Sequence, residues 1–204
     1  MHPRRVDAEL LYRRQQAVTG RRWVMVDQVH GRDWVERRGV DGDPAPVIGV
    51  GDVLVGDGSE PIAIWAADCA PIVLLDDVGG LVGCHAGWRG LAAGVIDVAV
   101  DRSAQRPVAA VLGPCVHPCC YEFGRRELAT VASGLRVDPD RITGLTASGA
   151  IALDVPSAVA IGLDAHGIEL DAIGPCTGCD DRWFSHRRGD AERHALVAWN
   201  EEPR

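Results

Sequence analysis

The chain has 204 residues and a formal charge of −8, with 47% hydrophobic and 25% charged residues. This composition is typical of a globular protein, and the negative charge gives no general attraction to nucleic acid or to anionic lipid. All 21 basic residues are arginine, which excludes a Schiff-base lysine and a lysine-containing phosphate loop. Proton transfer is therefore left to Asp, Glu, His, Cys or Tyr, or to metal-bound water.

Apolar runs and turn residues predict helices and strands that interleave along the whole chain. An amphipathic helix is predicted first, from Asp7 to Gly20, with Leu10, Leu11, Ala17 and Val18 on one side. Strands are predicted at 23–29, 62–67, 72–75, 81–84, 108–112, 168–173 and 194–199, helices at 87–100, 125–133 and 154–167, and a loop at 39–51. This alternation is typical of a mixed α/β (α+β) domain.

No segment predicts export or a membrane span. Residues 1–22 hold seven basic groups, His2 included, and no apolar stretch of the kind found in leaders. The apolar runs around 62–67 and 71–75 are split by Asp68 and are too short to cross a bilayer. A reducing cytoplasm is therefore expected, where seven Cys indicate metal or thiol chemistry before disulfides.

Three potential metal ligands lie at the ends of predicted buried strands. They are His30 in Gln-Val-His-Gly, Cys69 in Ala-Asp-Cys-Ala-Pro and His85 in Cys-His-Ala-Gly-Trp-Arg-Gly. Two His and one Cys suit zinc and leave a fourth position open for water or substrate. Their positions match no short zinc-finger spacing, so the residues alone leave two alternatives: a shared catalytic metal, or separate structural hydrogen bonds.

Two further cysteine groups lie in turn-rich segments. The first holds Cys115, Cys119 and Cys120 together with His117, and the second is Cys176-Thr-Gly-Cys179. They could form a structural zinc site, or Cys176 and Cys179 could be a redox pair. They could also pack as small buried thiols. A thioredoxin-like role is disfavoured because this CxxC does not begin a helix after the first strand.

Six motifs, in this order between about residues 24 and 199, resemble the YfiH family. They are Gln-Val-His-Gly at 28–31, Ala-Asp-Cys-Ala-Pro at 67–71, His-Ala-Gly-Trp-Arg-Gly at 85–90, Gly-Pro at 113–114, Cys-Tyr-Glu at 120–122 and Phe-Ser-His-Arg-Arg at 184–188. That family is known as multicopper polyphenol oxidoreductase (laccase-like) and as purine nucleoside phosphorylase. The resemblance implies a layered α/β/β/α-type single domain with mixed sheets over residues 1–204.

The resemblance also implies a cofactor and a reaction. His30, Cys69 and His85 match the family's zinc ligands. The implied reaction is phosphorolysis of purine nucleosides (adenosine, inosine and methylthioadenosine) with phosphate as co-substrate, together with adenosine deamination. No nucleic acid or membrane partner is implied, and either a monomer or a homodimer is expected.

Two carboxylates are candidates for proton transfer in this chemistry. Asp68, which adjoins Cys69, is the first candidate, and Glu122 is the second. Asp68 could equally be a partner that orients a ligand His.

Arginine supplies the candidate contacts to phosphate. Arg89 lies in a glycine-flanked turn at the predicted start of a helix, where backbone N–H groups also face an anion. Arg187 or Arg188 is expected to assist it, and Gln28 is a candidate contact to the substrate. Arg89 is therefore the candidate phosphate clamp.

The chain departs from the family pattern at its beginning. Members usually start with a strand and a loop of the type Phe-x-x-Arg-x-Gly-Gly-Val-Ser, whereas here residues 1–6 precede the first helix. The expectation is a single YfiH-like domain without that segment, so that metal binding is better supported than turnover. The Gly-Arg usual after the arginine pair is replaced by Glu192-Arg193.

Three other functions fit part of the pattern. Cys69 as nucleophile and His85 as base would suit an amidase or hydrolase acting on a peptidoglycan precursor. A copper oxidoreductase is less favoured than a zinc enzyme, because a weak axial ligand is needed and the only methionines are Met1 and Met25. The third alternative is a metal-binding module without catalysis.

Overall fold

The computed structural model describes residues 8–37 and 47–200, which form an α+β fold. Its elements in chain order are α1 (Ala8–Thr19), β1 (Met25–Asp27), β2 (Trp34–Glu36), β3 (Val47–Val50), β4 (Val53–Gly56), β5 (Ile62–Ala66), β6 (Ala70–Asp76), β7 (Leu81–Ala86), α2 (Trp88–Ala93), α3 (Val95–Arg102), β8 (Pro107–Leu112), α4 (Arg125–Leu135), β9 (Thr143–Leu145), β10 (Ile151–Leu153), α5 (Val155–Asp164), β11 (Leu170–Ile173) and β12 (His194–Ala198). Short 3-10 turns lie at Pro118–Cys120 and Pro139–Ile142. The predicted fold class is confirmed.

A six-stranded mixed sheet is the centre of the fold. Its strand order is β11-β8-β6-β7-β4-β2. The inner neighbours β8, β6, β7 and β4 run antiparallel to one another, whereas β11 and β2 lie parallel to their partners at the two edges. Helices α2 to α5 cover one face, where Leu91, Val131 and Leu163 join the buried side chains of the sheet. The inner strands are rich in buried apolar residues because both faces of the sheet are covered.

The alternation of side chains along β5 shows how the remaining layers stack. Ile62 and Ile64 pack with the second face of the large sheet, whereas Ala63 packs with Met25 and with Leu11 of α1 on the opposite side. The pairs β5–β12 (antiparallel) and β1–β3 (parallel) thus lie between the large sheet and α1. The order is helices, sheet, smaller sheets and helix, which is the expected α/β/β/α arrangement.

The predicted helix over 87–100 is divided into α2 and α3. Gly94 has a φ of +81°, a left-handed conformation that ends α2 and begins α3. Leu91 and Val95 are buried as predicted, but Val98 is only half-buried. The predicted end at Gly134 is also wrong, because α4 continues through it to Leu135. A Cβ at Gly134 would lie 2.3 Å from the Ala92 oxygen, so glycine allows α4 to cross α2 closely.

The buried side of α1 differs from the predicted one. Leu11 and Gln15, four residues apart, are buried, whereas Leu10 and Val18 are exposed. The side of α1 that faces the smaller sheets is therefore defined by residues four positions apart, which lie on one face of a helix. The predicted first residue, Asp7, lies outside the described part of the chain.

Short strands account for most of the other differences. The predicted loop at 39–51 contains β3 at Val47–Val50, while residues 39–46 lie outside the described residues. Strands β2, β4, β9 and β10 were not predicted, and three of them are only three residues long. The strands predicted at 62–67, 72–75, 81–84, 108–112, 168–173 and 194–199 are confirmed within a few residues. Within the described ranges, no helix has the length and apolar character that a membrane crossing needs.

Candidate metal centre and its surroundings

The structure brings His30, Cys69 and His85 together. One potential ligand atom from each lies within 4.8 Å of the others, and the two imidazole rings meet edge to face with centroids 4.9 Å apart. His30 and Cys69 each lie three positions after the end of a strand, β1 and β5 respectively, and Cys69 also directly precedes β6. The predicted position of His85 after a strand is wrong, because His85 lies within β7. The register of β6 and β7 pairs Pro71 with His85, which places Cys69 beside that histidine.

A carboxylate that sequence reasoning missed supports two of the three candidate ligands. Asp52 is fully buried, and its Oδ1 lies 2.8 Å from His85 Nδ1. The same carboxylate accepts hydrogen bonds from the backbone N–H groups of His30 (2.9 Å) and Gly31 (2.6 Å). An Nδ1–H bonded to a carboxylate leaves His85 Nε2 as the free donor atom. A lone acidic residue directly before the apolar run Val-Leu-Val at 53–55 was the available signal.

The surroundings of Cys69 and His85 shift the pKa values of both side chains. Burial opposes ionisation of Cys69, but hydrogen bonds with His30 and His85 outweigh it and lower the pKa of the thiol to about 6. Burial likewise opposes protonation of His85, while Asp52 and Cys69 raise its pKa to about 9. Without a metal, the pair is therefore a thiolate beside an imidazolium at neutral pH.

Gly87 leaves space beside two of the candidate ligands, where a side chain would otherwise lie. A Cβ at Gly87 would lie 3.1 Å from His30 Cδ2 and 3.2 Å from Cys69 Sγ. The absent side chain thus leaves room directly beside two of the donors. Two imidazole nitrogens and one thiolate form a donor set that suits a zinc ion with an open coordination position. The residues fit the predicted metal, whose binding stays a prediction.

Two non-glycine residues at this site have left-handed backbones. They are His30 (φ +64°) and Asp68 (φ +90°), and within the described ranges only Arg136 shares this property. Such residues persist where surrounding bonds hold them, and they are frequent at functional sites. Asp52 holds His30 by its backbone N–H, and Val116 N–H donates to the Asp68 carbonyl.

The Asp68 carboxylate is buried and accepts hydrogen bonds on both oxygens. Thr177 Oγ1 donates to Oδ1 at 2.7 Å, and the backbone N–H of Arg187 donates to Oδ2 at 2.9 Å. Asp68 therefore ties the beginning of β6 to the segments around 177 and 187. The alternative role predicted for it, orienting a ligand histidine, is filled for His85 by Asp52. Proton transfer by Asp68 stays a prediction.

Two of the predicted substrate contacts are engaged in internal bonds. The Gln28 amide pairs with both the N–H and the carbonyl of Trp65 at 2.9 Å, and so extends the β5 ladder. The Arg188 guanidinium donates to the carbonyl oxygens of Thr177 and Trp183 and to the Asp190 carboxylate. These bonds favour positioning roles for Gln28 and Arg188 over the predicted contacts with substrate.

Arg89 and Arg187 lie at the two ends of a row of aromatic rings. The Arg89 guanidinium carbon is 4.4 Å from the Trp88 ring centroid, and that of Arg187 is 4.2 Å from the Tyr121 centroid. Phe123 joins the rings, with centroids 5.7 Å from Trp88 and 5.1 Å from Tyr121. We call Trp88, Phe123 and Tyr121 the aromatic row. Its two arginines and Glu122, between two of the rings, are exposed.

The aromatic row lies beside the metal ligands. Trp88 is separated from His85 by two residues, and Arg187 is bonded to Asp68, the neighbour of Cys69. Burial raises the pKa of Tyr121, and the charge of Cys69 raises it further. Aromatic rings and cationic groups therefore lie near the candidate metal ligands.

The two other cysteine groups also meet. The Sγ atoms of Cys119, Cys120, Cys176 and Cys179 all lie within 4.8 Å of one another. Cys115, although adjacent in sequence, is buried in the main core. The His117 ring bonds to the Gly174 carbonyl at 3.1 Å and is not part of this group.

The larger open groove of the described residues lies elsewhere. It has a volume of about 350 Å³ and carries no ionisable side chain. Its lining residues come from β6 to β8 and the end of the chain: Val73, Leu75, Leu81, Ala109, Val111, Val197, Ala198, Trp199 and Asn200. Because acid–base, nucleophilic and metal chemistry need ionisable groups, we place the chemistry at the three donors instead.

Comparisons with known proteins show relatives that match most of this chain. A purine nucleoside phosphorylase named YlmD from Geobacillus stearothermophilus is 31% identical over 196 residues, covering 87% of this chain and 71% of its own. A purine nucleoside phosphorylase from Streptomyces coelicolor is 36% identical over 174 residues, covering 82% and 70%. The crystal structure of YlmD superposes with a TM-score of 0.74 at 29% identity, covering 93% of this chain and 78% of that chain.

The family model described as multi-copper polyphenol oxidoreductase laccase matches residues 3–201. This match covers nearly the whole chain, including every candidate site residue named above. The chain therefore belongs to this family, the one that YfiH and YlmD represent.

Proposed function

We propose that this chain is a zinc-dependent purine nucleoside phosphorylase that acts on adenosine, inosine and methylthioadenosine. The observation that carries the proposal is the convergence of His30, Cys69 and His85 beside an aromatic row that ends in two exposed arginines. The phosphorylase names of its relatives support the reaction class. Adenosine deamination is proposed as a second activity of the same centre.

The three donors are proposed to hold one zinc ion. When bound, this ion supplies a Lewis acid with an open coordination position. Asp52 keeps the His85 ring in the tautomer that a metal requires and holds the loop of His30 through backbone bonds. Both effects orient the ligands before the ion arrives, and the proton on His85 Nε2 leaves when the ion binds.

The aromatic row and its arginines are proposed to hold the two substrates. A purine presents a π-face that stacks on Trp88 or Tyr121, as bases stack on aromatic side chains in other proteins. Arg89 and Arg187 present guanidinium groups that match the geometry of phosphate oxygens. Each guanidinium is held at one end of the row by stacking on its ring, which defines two alternative positions for the phosphate.

Phosphorolysis itself requires charge stabilisation and one proton. The C1′–N9 bond of the nucleoside breaks, a phosphate oxygen bonds to C1′, and the purine leaves with the electron pair and takes up a proton. We propose that Glu122, exposed between Tyr121 and Phe123, supplies this proton. Asp68, which is buried and bonded on both oxygens, is proposed to position Arg187.

These two roles can be separated by kinetics. Glu122→Gln is expected to lower kcat and remove one limb of its pH profile, with little change in KM. Asp68→Ala is expected to raise the KM for phosphate, because the backbone N–H of Arg187 then loses its acceptor. If only Asp68→Ala alters the pH profile of kcat, the proton carrier is Asp68.

A cysteine hydrolase is the second candidate, and one observation favours it. A thiol with a pKa of about 6 beside a histidine resembles the activated pair of thiol enzymes. The two functions differ in their need for metal: chelation leaves a thiol hydrolase active, whereas it stops the phosphorylase. A copper oxidoreductase would instead show a blue absorption band in copper-loaded protein.

The test is a product assay with defined metal content. Zinc-loaded protein is incubated with adenosine, with and without inorganic phosphate, and the products are separated by chromatography. We expect adenine and ribose 1-phosphate only with phosphate, and inosine formation independent of it. The activity should disappear on chelation and return with zinc. Protein that carries zinc at the three donors and releases no purine base would refute the proposed function.

A further inference from the structure

Four cysteines form a second cluster that the proposed reaction does not use. Their sulfur atoms come from two short turns: Cys119 and Cys120 from the 3-10 turn at Pro118–Cys120, and Cys176 and Cys179 from a turn after β11. We call this group the four-cysteine cluster. The sulfur–sulfur separations are 3.6 Å for Cys119–Cys176 and 3.4 Å for both Cys119–Cys179 and Cys120–Cys179.

These separations match a shared metal better than disulfides. A disulfide requires sulfurs about 2.05 Å apart. Four sulfurs at about 2.3 Å from a tetrahedral zinc ion are about 3.8 Å from one another. The observed separations, 3.4 to 3.6 Å, lie close to the second value. Cys119 and Cys179 each have two sulfur neighbours at this range, and all four sulfurs lie within 4.8 Å of one another, whereas disulfides would pair them exclusively.

The glycine at position 178 leaves space for the Cys120 side chain in the cluster. A Cβ at Gly178 would lie 2.6 Å from Cys120 Cβ and 2.8 Å from its sulfur. Any side chain at this position would therefore displace Cys120. The backbone N–H groups of Cys179 and Asp180 both donate to the Cys176 carbonyl, which turns Cys179 back toward Cys176. The backbone N–H of His117 points at Cys176 Sγ from 3.4 Å, a contact that stabilises a thiolate.

We propose that Cys119, Cys120, Cys176 and Cys179 bind a second zinc ion in a closed structural site. Four thiolates complete a tetrahedral shell and leave no position for substrate, which is the property of structural rather than catalytic zinc. The ion would join two segments that are otherwise linked by the parallel bridge between Cys115 and Cys176.

This second ion would also stabilise the neighbourhood of the first. Thr177, inside the CxxC turn, donates to the Asp68 carboxylate, and its carbonyl accepts from Arg188. The turn therefore fixes the segment that carries Arg187. The proposal is independent of the reaction, because a closed zinc site would serve any chemistry at the first centre.

The test is the zinc content per chain of variants that remove one site at a time. Wild-type protein purified with a thiol reductant should hold about two zinc ions per chain, as measured by elemental mass spectrometry. Cys176→Ser/Cys179→Ser should hold about one, and so should His85→Ala. Cys115→Ala, a buried cysteine next to the cluster in sequence, is the matched control and should keep both.

A second measurement covers the case in which the serine variant does not fold. Cobalt substituted into His85→Ala should give the intense sulfur-to-cobalt charge-transfer bands of an all-thiolate tetrahedral site. Each of three findings would overturn the proposal: about one zinc in the wild type that is lost only in His85→Ala, disulfides among these cysteines in the reduced preparation, or iron in place of zinc at the four sulfurs.

Discussion

The two clusters of potential metal ligands differ in number of donors and in origin. His30, Cys69 and His85 come from three segments far apart in sequence, and one of them is exposed. The four-cysteine cluster comes from two short turns and presents four sulfurs. Three donors leave a position for substrate, whereas four close the shell. The comparison therefore assigns chemistry to the first centre and cross-linking to the second.

The groups that orient the side chains also differ between the two clusters. A buried carboxylate, Asp52, orients the first through a ring nitrogen and backbone N–H groups. The second is shaped by backbone alone, through Gly178 and the N–H of His117. A carboxylate that orients a ligand histidine is typical of a catalytic metal site. A structural site needs only a backbone that holds its four sulfurs close together.

The largest effect is expected for removing a ligand of the first centre. His85→Ala should lose the zinc of that centre and lower kcat/KM for phosphorolysis by more than about 100-fold, because the ligand itself is lost rather than its support. Zinc content and initial rates measure this. His117→Ala is the matched control, since its ring bonds to the Gly174 carbonyl outside both clusters. Full zinc content in His85→Ala would show that His85 is not a ligand.

A smaller effect is expected for removing the support. Asp52→Asn keeps the shape of the side chain but removes its charge, so zinc affinity at the first centre should fall by about 10- to 100-fold. Competition with a chelator measures the dissociation constant. Asp76→Asn is the control, because Asp76 is also buried and accepts backbone bonds, but at the other end of β6. Equal zinc affinities in the two variants would contradict the role of Asp52.

The next effect separates Cys69 of the first centre from Cys120 of the four-cysteine cluster by pH. In metal-stripped protein the pKa of Cys69 is lowered to about 6 by its two histidines, against burial, so the thiolate predominates at pH 7. Its alkylation by iodoacetamide should slow about tenfold between pH 7 and pH 5. Burial and the bond with Cys179 raise the pKa of Cys120 to about 11, so Cys120 should react only in alkaline solution. Peptide mass spectrometry distinguishes the sites; a Cys69 rate that rises only above pH 8 would contradict the account.

The smallest effect concerns the bond that links the two clusters. Thr177→Val leaves the Asp68 carboxylate short of one buried hydrogen bond, so the free energy of unfolding should fall by about 1.5–3 kcal/mol with zinc content unchanged. Urea denaturation measures it. Thr130→Val, which removes an exposed bond to the Arg126 carbonyl in α4, should cost less than about 0.5 kcal/mol. Equal free energies of unfolding in the two variants would show that the bond between Thr177 and Asp68 does not stabilise the fold.

The fold class and the long buried strands could be predicted because apolar runs such as 62–67 and 81–84 have a clear pattern. The division at Gly94 and the extension of α4 to Leu135 could not, since both depend on how helices meet in space. Three-residue strands such as β9 and β10 carry too few side chains to show a period. The bounds of these helices and the presence of these short strands depend on tertiary contacts.

The candidate site shows the same limit. The donors of the first centre could be named from motifs, because their residue types carry the chemistry. Asp52 could not, since its role depends on bonds to residues 22 and 33 positions away in sequence. The meeting of Cys119 and Cys120 with Cys176 and Cys179 likewise depends on two turns that only the fold brings together.

The most direct test of the central claim is the anomalous scattering of zinc in a crystal of the metal-loaded protein. The account predicts a peak at about 2.0–2.3 Å from a nitrogen of His30, a nitrogen of His85 and the sulfur of Cys69, with no fourth protein ligand. A map with full zinc occupancy elsewhere and no peak among these three side chains would contradict it.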